Sequence, residues 1–150
     1  MIIALNNKSN LNKADFLAYQ EKMSHIESNS KMIMCPTLLN INLFHLNNIA
    51  LGAQNVSTTD PGAYTGEVSA KDLKASNVEY CIVGHSERRT YQKESLEEVH
   101  NKVQKLFENG IIPILCIGET KEERDENRVE YVLKDEITTA IDGLTDEQKE

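Results

Sequence analysis

The sequence predicts an α/β fold built on a parallel sheet, and three observations lead to that class. Five apolar runs of strand length recur along the chain. They do not alternate with polar residues, which is typical of strands buried on both faces. Helical patterns lie between several of them, and a strand–helix–strand order of this kind predicts parallel βαβ units.

The predicted strands are short and are separated by longer, charged segments. They cover residues 1–5 (MIIAL), 31–35 (KMIMC), 49–56 (IALGAQNV), 79–83 (EYCIV) and 111–118 (IIPILCIG).

Three segments carry apolar residues at helical spacing. The first runs from Asn12 to Glu27, and the last runs from Lys121 to about Ile141. The middle one, residues 95–110, opens with a serine and has a glutamate three residues on, which predicts a capping box, and it ends at a glycine. After the second and third strands we expect only short helices.

Two architectures fit this order of elements. One is a complete five-stranded, doubly wound domain of the flavodoxin type. The other is part of a (β/α)8 barrel, a fold that takes about 250 residues. The sequence contains no GxGxxG or GxxxxGK[ST] loop that would favour a nucleotide-binding sheet. At 150 residues we expect a single domain over 1–150, and the order of elements leaves both architectures open.

Composition narrows the classes of partner. A net charge of −8 at pH 7 argues against nucleic acid or an anionic membrane, although a small anionic substrate remains compatible. No apolar run approaches the roughly 20 residues of a membrane span, and the N-terminus lacks a signal-peptide pattern, so we expect a cytoplasmic protein. The three cysteines lie in apolar runs, which predicts buried, reduced thiols, and no Cys/His cluster suggests a metal site.

Polar side chains gather where the predicted strands end, which is where parallel α/β folds place their chemistry. Asn6 and Lys8 follow the first strand, and His85 with a charged Ser86–Arg89 segment follows the fourth. A lone lysine at a strand end usually extends to solvent, and a lone histidine is usually structural. Because the ends of parallel strands lie on one side of a sheet, these groups together favour a functional site.

Four segments resemble the triosephosphate isomerase family, in the order and spacing of that family. They are NNKSN at residues 6–10, GAQNV with GAYTGEVSA in residues 52–70, YCIVGHSERR at 80–89 and PILCIGET at 113–120. The similarity covers essentially the whole chain. It implies a (β/α)8 TIM barrel, of which residues 1–150 form the first five β/α units.

The resemblance also implies an activity and its residues. The family interconverts dihydroxyacetone phosphate and D-glyceraldehyde 3-phosphate through an enediol(ate), without a cofactor, in glycolysis and gluconeogenesis. By position, Lys8 is the cation that faces the substrate phosphate and the developing oxyanion, and Asn6 hydrogen-bonds the substrate. His85 is the electrophile that donates a hydrogen bond to the carbonyl oxygen.

The resemblance further implies that the His85 imidazole is neutral. This family is the standard example of a histidine kept neutral by a helix N-terminus, so the neutral ring comes from the resemblance. In this sequence the helix turn is Ser86–Arg89, whose positive end disfavours imidazolium. Ser86, Glu87 and Arg89 are then expected to support the tip of the fourth strand, with part of this group reaching the lysine of the first strand.

A homodimer is the last implication of the resemblance. In this family the long loop after the third strand inserts into the neighbouring subunit beside its active site. Thr65, Gly66 and Glu67 are the expected tip of that loop. Residues 57–69 are rich in Thr, Gly and Asp, and a loop of this length suggests a function by itself.

The chain departs from the family pattern at two places. Leu5, Asn7 and Ser9 stand at the first strand tip where glycine, tryptophan and methionine are usual. The family's catalytic glutamate and lid loop belong to a later strand, and no carboxylate in residues 1–150 matches their motif. We therefore expect the segment to belong to a longer chain and, alone, to be neither active nor a soluble monomer. The alternatives are a homologue without catalysis and a flavodoxin-like module that binds phosphate.

Overall fold

A computed structural model describes residues 1–149 and contains one five-stranded sheet. Its strands, which confirm the five predicted runs, are β1 (Ile2–Asn6), β2 (Lys31–Cys35), β3 (Ala50–Ala53), β4 (Tyr80–Val83) and β5 (Ile112–Leu115).

The strands lie side by side in the order of the chain, β1-β2-β3-β4-β5, and every neighbouring pair is parallel. A doubly wound sheet has a reversal in its strand order, as in the 2-1-3-4-5 order of flavodoxin. The sequential order is therefore that of a (β/α)8 barrel, and the five strands form a partial barrel. The flavodoxin-type alternative is wrong.

Helices connect and follow the strands. They are α1 (Lys13–Ser24), α2 (Ala70–Ala75), α3 (Ser86–Tyr91), α4 (Leu96–Glu108), α5 (Lys121–Asp125), α6 (Val129–Ala140) and α7 (Asp146–Lys149), with a 3-10 helix at Leu38–Leu43.

The single helix predicted from Lys121 to about Ile141 is wrong, because α5 and α6 are separate. The chain leaves helical geometry between them, where Asn127 has φ = +56°. The segment that contains the break is strongly polar, and periodicity alone does not reveal where such a segment turns. The short helices expected after the second and third strands are present.

The helix caps follow the sequence closely. Ser95 and Glu98 form the predicted capping box at the start of α4. Gly110 follows the last turn of α4 with φ = +65°, a conformation that glycine adopts at low cost. Asn12 caps α1, its side-chain oxygen accepting from the backbone N–H groups of Ala14 and Asp15.

The two faces of the sheet have different surroundings. Met32 and Met34 of β2 pack in one cluster with α1, whereas Cys81 and Val83 of β4 pack in another with α4. The alternate residues of the same strands form a third cluster that contains no helix residue: Ile33, Cys35, Tyr80 and Ile82. Helices on one face and strand side chains alone on the other are the layers of a barrel wall and its interior.

The outer strands expose part of their apolar surface. Ile2 of β1 is 63% exposed and Ile112 of β5 is 51% exposed. In residues 1–149 no helix has both the length and the apolar character required to cross a bilayer.

Candidate active site

A cavity of about 400 Å³ lies at the C-terminal ends of the strands. It brings together residues at or just beyond the ends of β1, β2, β3 and β4 with part of the loop after β3. Its lining includes Asn6, Lys8, Asn55, Gly66, Glu67, His85, Glu87 and Arg88.

The first strand tip holds Lys8 in an unusual backbone conformation. Its φ is +50°, a region that costs a residue with a Cβ about 1–2 kcal/mol. The Asn6 side-chain oxygen accepts from the Lys8 backbone N–H at 2.9 Å. At the other end, the Lys8 ammonium lies 2.7 Å from the Glu87 carboxylate beyond β4. Strain of this kind is found at functional sites.

Gln54 ties three strand ends together. Its side-chain Nε2 donates to the Lys8 carbonyl at 2.8 Å and to the Cys35 carbonyl at 2.9 Å. Gln54 directly follows β3, so a single amide connects the ends of β1, β2 and β3. Sequence reasoning assigned it no role; its position at a strand end was the available signal.

His85 precedes the first turn of α3 and lines the cavity with a side chain that is 23% exposed. The Glu87 backbone N–H donates to its Nδ1 at 3.2 Å. A ring nitrogen that accepts a hydrogen bond carries no proton, so this contact favours the neutral tautomer with the proton on Nε2.

Glu87 lies between the lysine and the histidine. One carboxylate oxygen accepts a hydrogen bond from the Lys8 ammonium, and the other is 3.5 Å from His85 Nδ1. The hydrogen bond from Lys8 is the main reason why the pKa of Glu87 lies below its usual range. The carboxylate therefore stays ionised and orients the ammonium at the mouth of the cavity.

The two arginines of the motif point in different directions. Arg88 donates through Nε to Glu94 at 2.9 Å, on the cavity side. Arg89 turns to the strand ends and donates to the carbonyls of Gly84, at 2.7 Å, and Cys116, at 3.0 Å. The two arginines therefore make separate groups of contacts. Of the residues expected to support the strand tip, Glu87 reaches Lys8 and Arg89 reaches the ends of β4 and β5.

A buried ionic group lies behind the cavity and was missed by sequence reasoning. Glu94 is 2% exposed and accepts from both Arg88 and Lys102, the latter only 6% exposed. Lys102 also donates to the Asn55 side chain at 2.9 Å. Burial by itself raises the pKa of Glu94, but the hydrogen bonds from Lys102 and Arg88 outweigh it and hold the pKa below its usual range.

Four other predicted residues are exposed or lie at the edge of the site. Ser86 is exposed on the first turn of α3 and Thr65 is exposed on the loop after β3. Gly66, with φ = +91°, and Glu67 border the cavity of the same chain. In the described residues, therefore, the loop tip lies at the edge of the site that Lys8 and His85 line.

This arrangement suits a small anion that also carries a polarisable carbonyl. The lysine ammonium offers a positive charge, and the neutral imidazole offers a hydrogen bond donor that can strengthen as charge develops on oxygen. Glu87 already holds both groups, the ammonium through its carboxylate and the imidazole through its backbone N–H, which limits the reorganisation that binding requires.

Comparison with protein families matches the whole chain to the model described as triosephosphate isomerase, over residues 1–150. Triosephosphate isomerase of Clostridium perfringens (strain 13 / Type A) is 37% identical over 155 residues, and the match covers 99% of this chain and 62% of that protein. The enzyme of Lactobacillus helveticus (strain DPC 4571) is 46% identical over 101 residues, covering 67% of this chain and 40% of that protein.

Among solved structures, triosephosphate isomerase from Bartonella henselae superimposes with a TM-score of 0.85 at 34% identity. The superposition covers 98% of this chain and 64% of that chain. Nearly all of this chain is matched, but it spans only about three fifths of the length of these relatives, for example 62% of the clostridial enzyme.

Proposed function

Because the chain belongs to the triosephosphate isomerase family, we propose that it contributes to the interconversion of dihydroxyacetone phosphate and D-glyceraldehyde 3-phosphate. The reaction passes through an enediol(ate) and belongs to glycolysis and gluconeogenesis in the cytoplasm. The observation that carries the proposal is the single cavity that Lys8 and His85 line from the ends of β1 and β4.

Lys8 binds the substrate's negative charge. Its side chain is 47% exposed, so that a phosphate can approach it from solvent. A point charge on a flexible stem suits a phosphate oxygen, and the pairing with Glu87 keeps it at the cavity mouth. Asn6, whose side-chain oxygen already holds the Lys8 backbone, contacts the substrate from the same strand end.

His85 polarises the carbonyl as a neutral donor. With Nδ1 engaged by the Glu87 N–H, the remaining donor is Nε2–H, which donates to the substrate's carbonyl oxygen. A neutral imidazole is the better-matched donor to an enediolate, because an imidazolium would lose its proton to it. A neutral histidine in this role is the behaviour for which this family is the standard example.

Residues 1–150 alone are proposed to be inactive. Two carboxylates border the cavity in the described residues, Glu67 and Glu87. Glu87 is already paired with Lys8 and has a lowered pKa, which makes it a weak proton acceptor. Neither carboxylate lies in the motif of the family's catalytic base, and we assign that role to no residue of this segment.

The partner proposed for the loop after β3 is a second copy of the chain. Thr65, Gly66 and Glu67 form the tip of the loop that enters the neighbouring subunit in this family. Large apolar side chains are exposed on this loop and on the 3-10 helix after β2: Tyr64 is 53% exposed and Leu39 is 89% exposed. Burial of such side chains in a subunit contact would be favourable.

Calorimetric titration tests the proposal. The chain is titrated with glycerol 3-phosphate, a plain phosphate ligand, and with 2-phosphoglycolate, whose carboxylate resembles the enediolate. We expect 2-phosphoglycolate to bind more tightly, Lys8→Ala to weaken both ligands, and His85→Ala to remove the preference. Lys22→Ala, on the last turn of α1, is the matched control.

Two results would count against the proposal. Equal binding of the two ligands by the unaltered chain would favour a homologue that binds phosphate without catalysis. Turnover of triose phosphates by purified residues 1–150 at rates near those of full-length relatives would refute the inactivity of the segment.

A further inference from the structure

The segment that follows His85 is not anchored by apolar packing. None of the residues of α3 is buried, although this helix begins directly after the histidine. A short helix without a buried side chain is positioned by its polar contacts. The position of the histidine ring therefore depends on what holds the charged side chains around it.

Arg89 connects α3 to the ends of two strands. Its guanidinium donates through Nε to the Gly84 carbonyl and through Nη2 to the Cys116 carbonyl. These carbonyls lie just beyond the ends of β4 and β5. Because a guanidinium is planar and rigid, bonds from separate nitrogens fix its orientation along with its position.

Gly84 transmits that orientation to the next residue. Its φ is +69°, and a Cβ at this position would lie 3.0 Å from Arg89 Nη2. The guanidinium thus packs directly on the backbone of the residue before His85. A shift of Arg89 moves the peptide from which the imidazole extends.

The Arg89 guanidinium is in turn held by Glu136, on α6. The Glu136 side chain is 7% exposed, and its Oε1 accepts from Arg89 Nη1 at 2.5 Å. Its Oε2 accepts from the Gly118 backbone N–H, beyond β5, at 2.8 Å. A buried carboxylate with both oxygens engaged has one stable arrangement, and removal of its charge leaves the guanidinium without its anion.

We propose that Glu136 is a positioning residue for His85. It acts through Arg89 and Gly84 and does not line the cavity. The carboxylate holds the guanidinium, the guanidinium holds the end of β4, and the imidazole thereby keeps Nδ1 on the Glu87 N–H. The benefit of this arrangement for catalysis rests on the proposed function, whereas the positioning itself can be tested without substrate.

Nuclear magnetic resonance of the imidazole nitrogens tests this inference. The chain is labelled with ¹⁵N only in its four histidines, and the ring nitrogens are observed in solution, or by magic-angle spinning if the chain associates. We expect His85 to show one tautomer, with Nε2 protonated. Glu136→Gln keeps the size of the side chain and removes its charge, and in it the two ring shifts of His85 should converge as tautomers mix.

Two internal controls separate positioning from general loss of structure. Glu130→Gln makes the same chemical change at an exposed position of α6 and should leave the spectrum unaltered. His100, whose Nδ1 lies 3.0 Å from the Thr139 carbonyl, reports whether α6 itself has moved. The inference is supported if His85 alone responds to Glu136→Gln.

Unchanged His85 signals in Glu136→Gln would overturn the inference. So would a simultaneous shift of His85 and His100, or an unfolded Glu136→Gln chain, because either would show that Glu136 stabilises the fold in general. Addition of 2-phosphoglycolate to the unaltered chain tests the proposed function separately. If the His85 signals change in Glu136→Gln but not on addition of this ligand, the positioning role of Glu136 stands and the proposed substrate is wrong.

Discussion

Replacement of Lys102 by methionine is expected to lower the free energy of unfolding by about 3 kcal/mol. Methionine keeps the apolar stem of the side chain and removes the ammonium that Glu94 and Asn55 accept from. Glu94, 2% exposed, would retain Arg88 as its charged partner at 2.9 Å. Loss of one member of a buried ion pair costs about 3–5 kcal/mol, and the remaining arginine places the expected value at the lower end.

Urea unfolding followed by circular dichroism measures this effect. With a slope of about 2 kcal/mol per molar urea, the midpoint should fall by about 1.5 M. Lys121→Met is the matched control, because that lysine is 80% exposed and pairs with Asp125 one turn along an exposed helix. The reasoning is refuted if Lys102→Met shifts the midpoint no more than the control, or raises it.

The pH dependence gives the same prediction a second test. The folded pKa of Glu94 lies below the ordinary glutamate value of 4.5, so its ionised form is stabilised by folding. A lowered folded pKa contributes stability above the ordinary value and loses it as the pH falls through the folded pKa. The difference between the unaltered chain and Lys102→Met should therefore be full at neutral pH and shrink on acidification below 4.5. A difference independent of pH would contradict the role of the carboxylate.

Three further outcomes follow from the packing. Gly84→Ala should destabilise the chain by at least about 2 kcal/mol, because a Cβ at Gly84 is strained at φ = +69° and lies too close to the Arg89 guanidinium. Gly118→Ala is the control, since a Cβ there meets no atom within 4 Å, and equal melting temperatures of the two variants would contradict this prediction. Phe16→Ala empties a fully buried position and should cost about 3–5 kcal/mol in urea unfolding, and a cost under 1 kcal/mol would show that the site collapses without penalty. Alkylation at pH 8, followed by mass spectrometry, should modify the half-buried Cys116 before Cys35 and Cys81, because the latter two are buried and burial raises their pKa more; the reverse order would contradict the described packing.

Strands could be predicted from the sequence because burial on both faces leaves a continuous apolar run. The run at 49–56 is an example, although only Ala50–Ala53 pair as β3. Gln54 and Asn55, which follow β3 within the same run, leave the sheet. The Gln54 side chain donates to the Lys8 carbonyl, and the Asn55 side chain accepts from Lys102. An apolar run marks where a strand lies but not where its pairing stops.

The order of the strands could not be predicted from periodicity. Both a doubly wound sheet and a barrel satisfy the same succession of strands and helices, and the choice depends on which strands pair. Motif resemblance supplied the barrel. The pairing of each strand with the next one along the chain then confirmed it, beginning with Ile3 of β1 beside Met32 of β2.

The candidate site was predictable where it depends on single positions at strand ends. Lys8 and His85 were recognised in that way. Partners from distant parts of the chain were missed, because the pairing of Lys102 with Asn55 and that of Glu136 with Arg89 each span 47 residues. Nothing local in the sequence distinguishes these buried charges from the exposed ones around them; only the fold brings them together.

The most direct test of the site is the response of the histidine ring nitrogens to dihydroxyacetone phosphate. In the chain labelled at its four histidines, we expect saturable shifts of His85 alone, which disappear in Lys8→Met because the phosphate loses its cation. A silent His85, a response centred on another histidine, or a response that survives Lys8→Met unchanged would contradict the shared site.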